Sequence, residues 1–87
     1  MAVWGLDVEQ VRQLSSQLNQ KAGDIEGVLS TLTSALGNTQ WTGPDSEQFR
    51  QAWSGEYTSQ LKQVVSALKD ASQKASKNAA DQETASQ

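Results

Sequence analysis

The chain has 87 residues, with seven Lys and Arg against ten Asp and Glu, a net charge of −3 and a pI near 4.7. This length suits one small domain, and the acidic balance argues against a nucleic-acid partner, which would require a basic face. Because the sequence contains neither His nor Cys, it lacks the commonest metal ligand, the commonest proton shuttle and any disulfide. We therefore expect no metal, no cofactor and no nucleic-acid partner.

The first predicted element is a long amphipathic helix from about residue 7 to residue 36. Asp7 is a suitable N-cap with Gln10 three residues later, and Gly37 followed by Asn38 is a natural C-terminal cap. Apolar residues recur through this segment in steps of three or four, which is the period of a helix. They are Val11, Leu14, Leu18, Ala22, Ile25, Leu29, Leu32 and Leu36. The following members lie seven residues apart and predict the seam of a left-handed helix pair: Val11, Leu18, Ile25 and Leu32.

A second amphipathic helix is predicted from about residue 44 to residue 81, with a frayed tail over 82–87. Pro44 suits the first helical position, and Asp45 lies at the positive end of the helix dipole. Its apolar stripe consists of Phe49, Trp53, Tyr57, Leu61, Val64, Leu68, Ala71 and Ala75. Because only the short segment 38–43 connects the two helices, we predict an all-α fold, an antiparallel two-helix hairpin in a single domain over 1–87.

Both helices carry more apolar surface than one hairpin seam can cover, so two hairpins are expected to dimerise into a four-helix bundle. The residues predicted for the hairpin or dimer seam are Val11, Leu14, Leu18, Ile25, Leu29, Leu32, Phe49, Trp53, Tyr57, Leu61, Val64 and Leu68. Gly23 and Gly27 are either tolerated surface glycines or a bare patch where a partner helix comes close. Val3 and Trp4 are expected to fold back onto the hairpin.

The connection contains the tripeptide Trp41-Thr42-Gly43, followed by Pro44 and Phe49 at the start of the second stripe. In this position the tripeptide resembles that of the WXG family, the small early-secretory-antigen-like proteins of type VII secretion. The resemblance spans about residues 6–83. It implies a helical hairpin that pairs antiparallel, as a homodimer or with another small helical family member.

The same resemblance implies export to the outside of the cell through a type VII machinery, without a cleaved signal peptide. The first residues of the chain lack the basic and apolar regions of such a peptide, and no apolar run approaches a membrane span. Trp41 and Gly43 carry over as the turn motif and part of a recognition surface. In the simpler interpretation, Trp41 only plugs the end of the bundle and Gly43 supplies backbone freedom at the turn.

The tail departs from the family pattern, in which a Tyr precedes an acid by four residues at the end of the second helix. Here the acids are Asp81 and Glu83, and the residues four positions earlier are Lys77 and Ala79. Tyr57 lies inside the apolar stripe instead. The chain is therefore expected to use another export signal or a partner that supplies the tail.

Catalysis has little support in the sequence, since the acids are dispersed and the serines have no His to activate them. We expect a small secreted protein that acts by protein–protein interaction, as exported substrate or export partner. The alternative is a non-secreted adaptor hairpin that pairs with a helical domain of a larger toxin or membrane protein. Recovery of the chain outside the cell would separate the two.

Overall fold

The computed structural model describes residues 6–85, which contain no strand and are helical apart from residues 6–7 and the turn over 38–43. Helix α1 spans Val8–Gly37 and helix α2 spans Pro44–Ala52. A π-helical turn, Trp53–Tyr57, leads without a break into α3, Thr58–Ala85. Helices α1 and α3 pack against each other in a rod about 65 Å long and 17 Å wide. The predicted all-α helical hairpin is confirmed, while the predicted packing of Val3 and Trp4 lies outside the described residues.

The two ends of α1 are closed in different ways. At the start, Asp7 has an extended backbone and its Oδ1 accepts a hydrogen bond from the Gln10 N–H at 3.0 Å. At the other end, Gly37 remains helical and Asn38 is right-handed, with φ −94° and ψ 0°. The left-handed glycine cap is not used, because donors from the turn and from α2 reach the last carbonyls of α1. One of them is the Thr39 hydroxyl.

The hairpin is held along a seam of buried residues that lie seven apart on each helix. They are Ser15, Ala22 and Leu29 on α1, and Val65, Ser72 and Ala79 on α3. Each of the two serines donates its hydroxyl to the main-chain carbonyl of the other, at 2.7 Å in both directions. These paired bonds satisfy both buried hydroxyls and bring the helices close together.

The serine pair also sets the antiparallel register of the seam. Ser15 lies opposite Ser72. Because the helices are antiparallel, a step of seven residues forward on α1 corresponds to a step of seven backward on α3. Ala22 therefore lies opposite Val65, and Leu29 lies opposite Thr58. The two serines are both small, whereas Ala22 lies opposite the larger Val65 and Thr58 lies opposite the larger Leu29. Small side chains at each level let the two helices pack closely.

The structure shifts the centre of the seam away from the predicted heptad. Val11, Leu18 and Ile25 are half-buried at its edge, and Leu32 is 47% exposed. The physical reason is size, because small residues at Ser15 and Ala22 allow a closer approach of the helices than a row of leucines would. The bulkier side chains therefore lie beside the seam and not in its centre.

The π-turn interrupts the predicted continuous second helix and changes its register. The buried or half-buried residues of this segment include Ser46, Arg50, Trp53, Thr58, Leu61 and Val65. Their spacing is three or four except from Trp53 to Thr58, where the step of five matches the wider turn of a π-helix. As a result Trp53 is half-buried, whereas Phe49 and Tyr57 are 42% and 40% exposed. The predicted single stripe through these three residues therefore divides into one half-buried and two exposed side chains.

Helix α3 also continues to Ala85, beyond the predicted end near residue 81. At this end Glu83 forms an ion pair with Arg12 of α1, at 3.0 Å between Oε2 and Nη1. This contact joins the end of α3 to the beginning of α1 in the region where fraying was predicted.

Candidate functional site at the Trp-X-Gly turn

Gly43 gives the turn its shape. Its backbone has φ +117° and ψ 177°, a conformation that side chains strongly disfavour. It caps α2, and its carbonyl accepts the Glu47 N–H at 3.1 Å, while Pro44 occupies the first helical position. A Cβ built at Gly43 would meet no atom within 4 Å. The requirement for glycine here is therefore conformational and does not come from lack of space.

Two residues of α2, Ser46 and Arg50, hold the turn in place through hydrogen bonds. The Ser46 hydroxyl, in a residue only 2% exposed, donates to the Trp41 carbonyl at 2.8 Å and accepts from Arg50 Nε at 2.9 Å. The Arg50 Nη1 group donates to the Leu36 carbonyl at 2.8 Å, and Nη2 donates to the Thr39 carbonyl at 3.1 Å. One guanidinium thus joins the end of α1, the turn and α2.

Sequence reasoning missed both Ser46 and Arg50. A signal was present, because Arg50 is the only basic residue between Lys21 and Lys62. The last turn of α1 has no basic residue of its own, so its free carbonyls require donors from elsewhere.

The aromatic side chains around the turn form a row of tilted contacts. The Trp41 and Phe49 ring centroids are 5.6 Å apart, and those of Phe49 and Tyr57 are 6.4 Å apart. We call these three residues the aromatic patch, since each is about 40% exposed. They line an open groove of about 400 Å³ together with Asp45, Gln48 and Ala52. Such a surface combines a large apolar area with rigid side chains.

Trp53 has a different environment from Trp41. Its indole Nε1 donates to the Thr33 hydroxyl of α1 at 2.9 Å, and its ring meets Tyr57 edge-on at 6.4 Å. Trp53 therefore connects the two helices of the hairpin. Trp41 lies on the turn and keeps 40% of its surface exposed.

Exposed apolar residues also follow one flank of the hairpin, which we call the apolar flank. Leu14, Val28 and Val64 come one residue before a seam position, and they are 50%, 55% and 47% exposed. Leu32 comes three residues after the seam residue Leu29. In an antiparallel helix pair with a heptad seam, both of these positions lie on the same side.

The opposite side, which we call the polar flank, is bridged by charges. Glu26, Lys69 and Glu83 each come four positions after a seam residue, and Arg12 comes three positions before Ser15. Arg12 pairs with Glu83 at 3.0 Å, and Glu26 pairs with Lys69 at 3.2 Å. The two flanks of the same hairpin are thus chemically distinct.

The predicted seam residues fall into three groups by burial. Leu29 is buried in the hairpin seam. The half-buried residues are Val11, Leu18, Ile25, Trp53, Leu61 and Leu68. The exposed residues are Leu14, Leu32, Phe49, Tyr57 and Val64. The hairpin therefore leaves most of the large predicted apolar side chains partly uncovered.

Both acids of the tail are engaged in ion pairs. Lys77 Nζ lies 2.6 Å from Asp81 Oδ2, at the spacing where the family pattern has a Tyr and an acid. The hydrogen bond and the charge of Arg12 lower the pKa of Glu83, and the same contact raises the pKa of Arg12. Both groups are exposed to solvent.

Residues 6–85 contain no group of three Asp or Glu side chains arranged to hold a metal ion. None of the helices described in this range is long and apolar enough to cross a membrane. Comparisons of the chain with protein-family models, with curated proteins and with solved structures give no significant match.

Proposed function

We propose that the chain is a small helical protein of a bacterial type VII secretion system, related in design to the WXG proteins. In this proposal it reaches the outside of the cell as an exported substrate or as the export partner of another protein. The observation that carries the proposal is the position of the Trp-X-Gly tripeptide at the tip of an antiparallel hairpin. There Gly43 adopts a positive φ and Trp41 is 40% exposed.

The proposal includes a homodimer formed through the apolar flank. Leu14, Val28, Leu32 and Val64 are each about half exposed, in a chain with few large apolar residues. Several exposed large apolar side chains on one side of a molecule are typical of an interaction site. A second copy, related by a two-fold axis, would cover it with the same residues and complete a four-helix bundle. A heterodimer with another small helical protein would use the same flank.

The aromatic patch is proposed as the recognition surface for the export machinery or for the tail of a partner. Trp and Tyr are enriched at the centres of protein interfaces because they offer large rigid surfaces at a small entropic cost. Trp41 contacts Phe49 and remains 40% exposed, so a partner can reach the exposed part of its ring. The groove beside it is lined by side chains of α2 and the π-turn.

The test compares Trp41→Phe with Trp53→Phe in a bacterium that carries a type VII system. Both variants make the same chemical change, but Trp53 bonds to Thr33 within the hairpin and Trp41 lies on the surface. Trp41→Phe should lower the amount of protein in the medium more than its folded fraction explains. Trp53→Phe should lower it only in proportion to the folded fraction, measured by circular dichroism of the purified protein.

Equal export of the two variants per folded molecule would leave Trp41 with a structural role alone. Absence of the parent chain from the medium would contradict the proposal. Retention in the cell together with a larger toxin or membrane protein would instead favour the adaptor function. A lysis marker measured in the same medium controls for leakage.

A further inference from the structure

We propose that Arg50 is a positioning residue, which fixes the turn so that Trp41 presents its indole ring to a partner. This inference rests on the proposed function, because it assigns a role to Arg50 in the same recognition surface. Its acceptors are the Leu36, Thr39 and Trp41 carbonyls and the Ser46 hydroxyl, at distances from 2.8 to 3.5 Å. Such a set joins main-chain groups and is unlike a surface ion pair.

The planar shape of the guanidinium explains why an arginine is needed. Nε and the two Nη groups point in fixed directions, so one side chain reaches the end of α1, the turn and α2 together. A lysine carries the same charge, but its three donors lie on one nitrogen atom. It cannot reach Leu36, Thr39 and Ser46 with the same geometry.

Two sets of contacts then determine the position of Trp41. Its main-chain carbonyl accepts from Ser46, which is itself held by Arg50. Its ring meets Phe49, the residue that precedes Arg50 in α2. Since the backbone and the ring are both held by residues of the one helix α2, the exposed side of the indole keeps a constant direction. A partner then meets a preorganised surface and does not have to order the turn on binding.

The test uses Arg50→Lys in the full-length chain, labelled with 5-fluorotryptophan, with the three resonances assigned by Trp→Phe variants. We expect the Trp41 signal to shift or broaden while the Trp53 signal and the helical content stay close to those of the parent. Export per folded molecule should fall about fivefold, the factor that corresponds to one net hydrogen bond. Arg12→Lys is the matched control, because Arg12 forms an exposed ion pair far from the turn.

Ser46→Ala is the second variant and covers the case in which Arg50→Lys folds poorly. It removes the hydroxyl between Arg50 and the Trp41 carbonyl, leaves the charge in place and should change the Trp41 signal in the same direction. An unchanged Trp41 signal in both variants would overturn the inference. The inference would also be overturned if Trp41→Phe is exported poorly while both variants show a changed Trp41 signal and normal export per folded molecule. If Trp41→Phe is exported normally, the recognition role fails instead, and the fluorine signal alone decides whether Arg50 positions Trp41.

Discussion

The apolar flank and the polar flank are built by the same two helices at the same seven-residue spacing. They differ in whether their side chains find partners within the chain. On the polar flank, Arg12 with Glu83 and Glu26 with Lys69 bridge α1 and α3 within the chain. On the apolar flank, Leu14, Val28 and Leu32 extend beyond the seam and remain about half exposed.

The difference shows that small and large side chains lie in different parts of this molecule. The seam contains Ser15, Ala22, Ser72 and Ala79, so the hairpin is closed mainly by small residues. Close helix packing of this kind needs little apolar volume within one chain. The larger apolar side chains are left outside, where a second molecule would cover them. The apolar flank is therefore the surface on which the proposed dimer depends.

The largest expected effect comes from a charge on the apolar flank. Val64→Glu would place a carboxylate in the proposed dimer interface of both copies, and an unpaired buried charge costs about 3–5 kcal/mol. We expect the dissociation constant of the dimer to rise about 100-fold or more. Sedimentation equilibrium across micromolar concentrations measures it.

Ser66→Glu is the matched control, because Val64 and Ser66 are the two chain neighbours of the seam residue Val65. Ser66 lies on the polar flank, in a groove that also contains Lys62 and Lys69. The dimer should keep its parental dissociation constant in this variant. Similar weakening by both substitutions would show that the apolar flank is not the interface, and a monomeric parent would contradict the dimer itself.

The next effect concerns the seam. Ala22 is fully buried and level with Val65, so Ala22→Leu adds volume where two helices meet closely. Overpacking of this kind costs about 1–3 kcal/mol in the free energy of unfolding. Urea unfolding followed by circular dichroism measures the loss. Ala67→Leu makes the same change at an exposed position of α3 and should leave the free energy within about 0.5 kcal/mol of the parent.

The helices and the hairpin could be predicted from the sequence because their signals are local. The apolar steps of three and four, the Asp7 cap and Pro44 each act within a turn or two of helix. The seam could not be located in the same way. Ser15 and Ser72 do not stand out in a search for apolar periodicity, and their bonds to each other join residues that are 57 positions apart.

The turn shows the same limit at the candidate site. The Trp-X-Gly tripeptide is visible in the sequence, and so is the need for a flexible residue at Gly43. The π-turn is hidden, because Phe49, Trp53 and Tyr57 follow each other at the four-residue spacing of an ordinary helix. The contacts of Arg50 with α1 also depend on the completed hairpin, since they span up to 14 residues.

A smaller effect distinguishes the two interpretations of the mid-helix glycines. Gly27 lies five positions after the seam residue Ala22, away from the seam, and a Cβ there would meet no atom within 4 Å. Gly27→Ala should therefore raise the free energy of unfolding by about 0.5–1 kcal/mol and leave the dimer unchanged. Gly43→Ala should have the opposite sign, because its φ of +117° is strained for alanine. A weaker dimer in Gly27→Ala would instead indicate a partner helix at this patch.

The smallest effect is a dependence on pH at the open end of the hairpin. The hydrogen bond and charge of Arg12 lower the pKa of Glu83 below its ordinary value of 4.5. A carboxyl group with a lowered pKa in the folded state contributes stability above that ordinary value, and the contribution is lost as the pH falls through the lowered pKa. The pair is exposed, so the effect should appear mainly as local opening of the last turn of α3 and should weaken in high salt.

Hydrogen exchange at residues 82–85 should be faster in Glu83→Gln than in the parent at pH 6, after correction for the intrinsic exchange rates. This difference should shrink as the pH falls below 4.5. Arg12→Gln should reproduce the change from the other partner, whereas parental exchange rates in both variants would show that this ion pair does not hold the end of the helix.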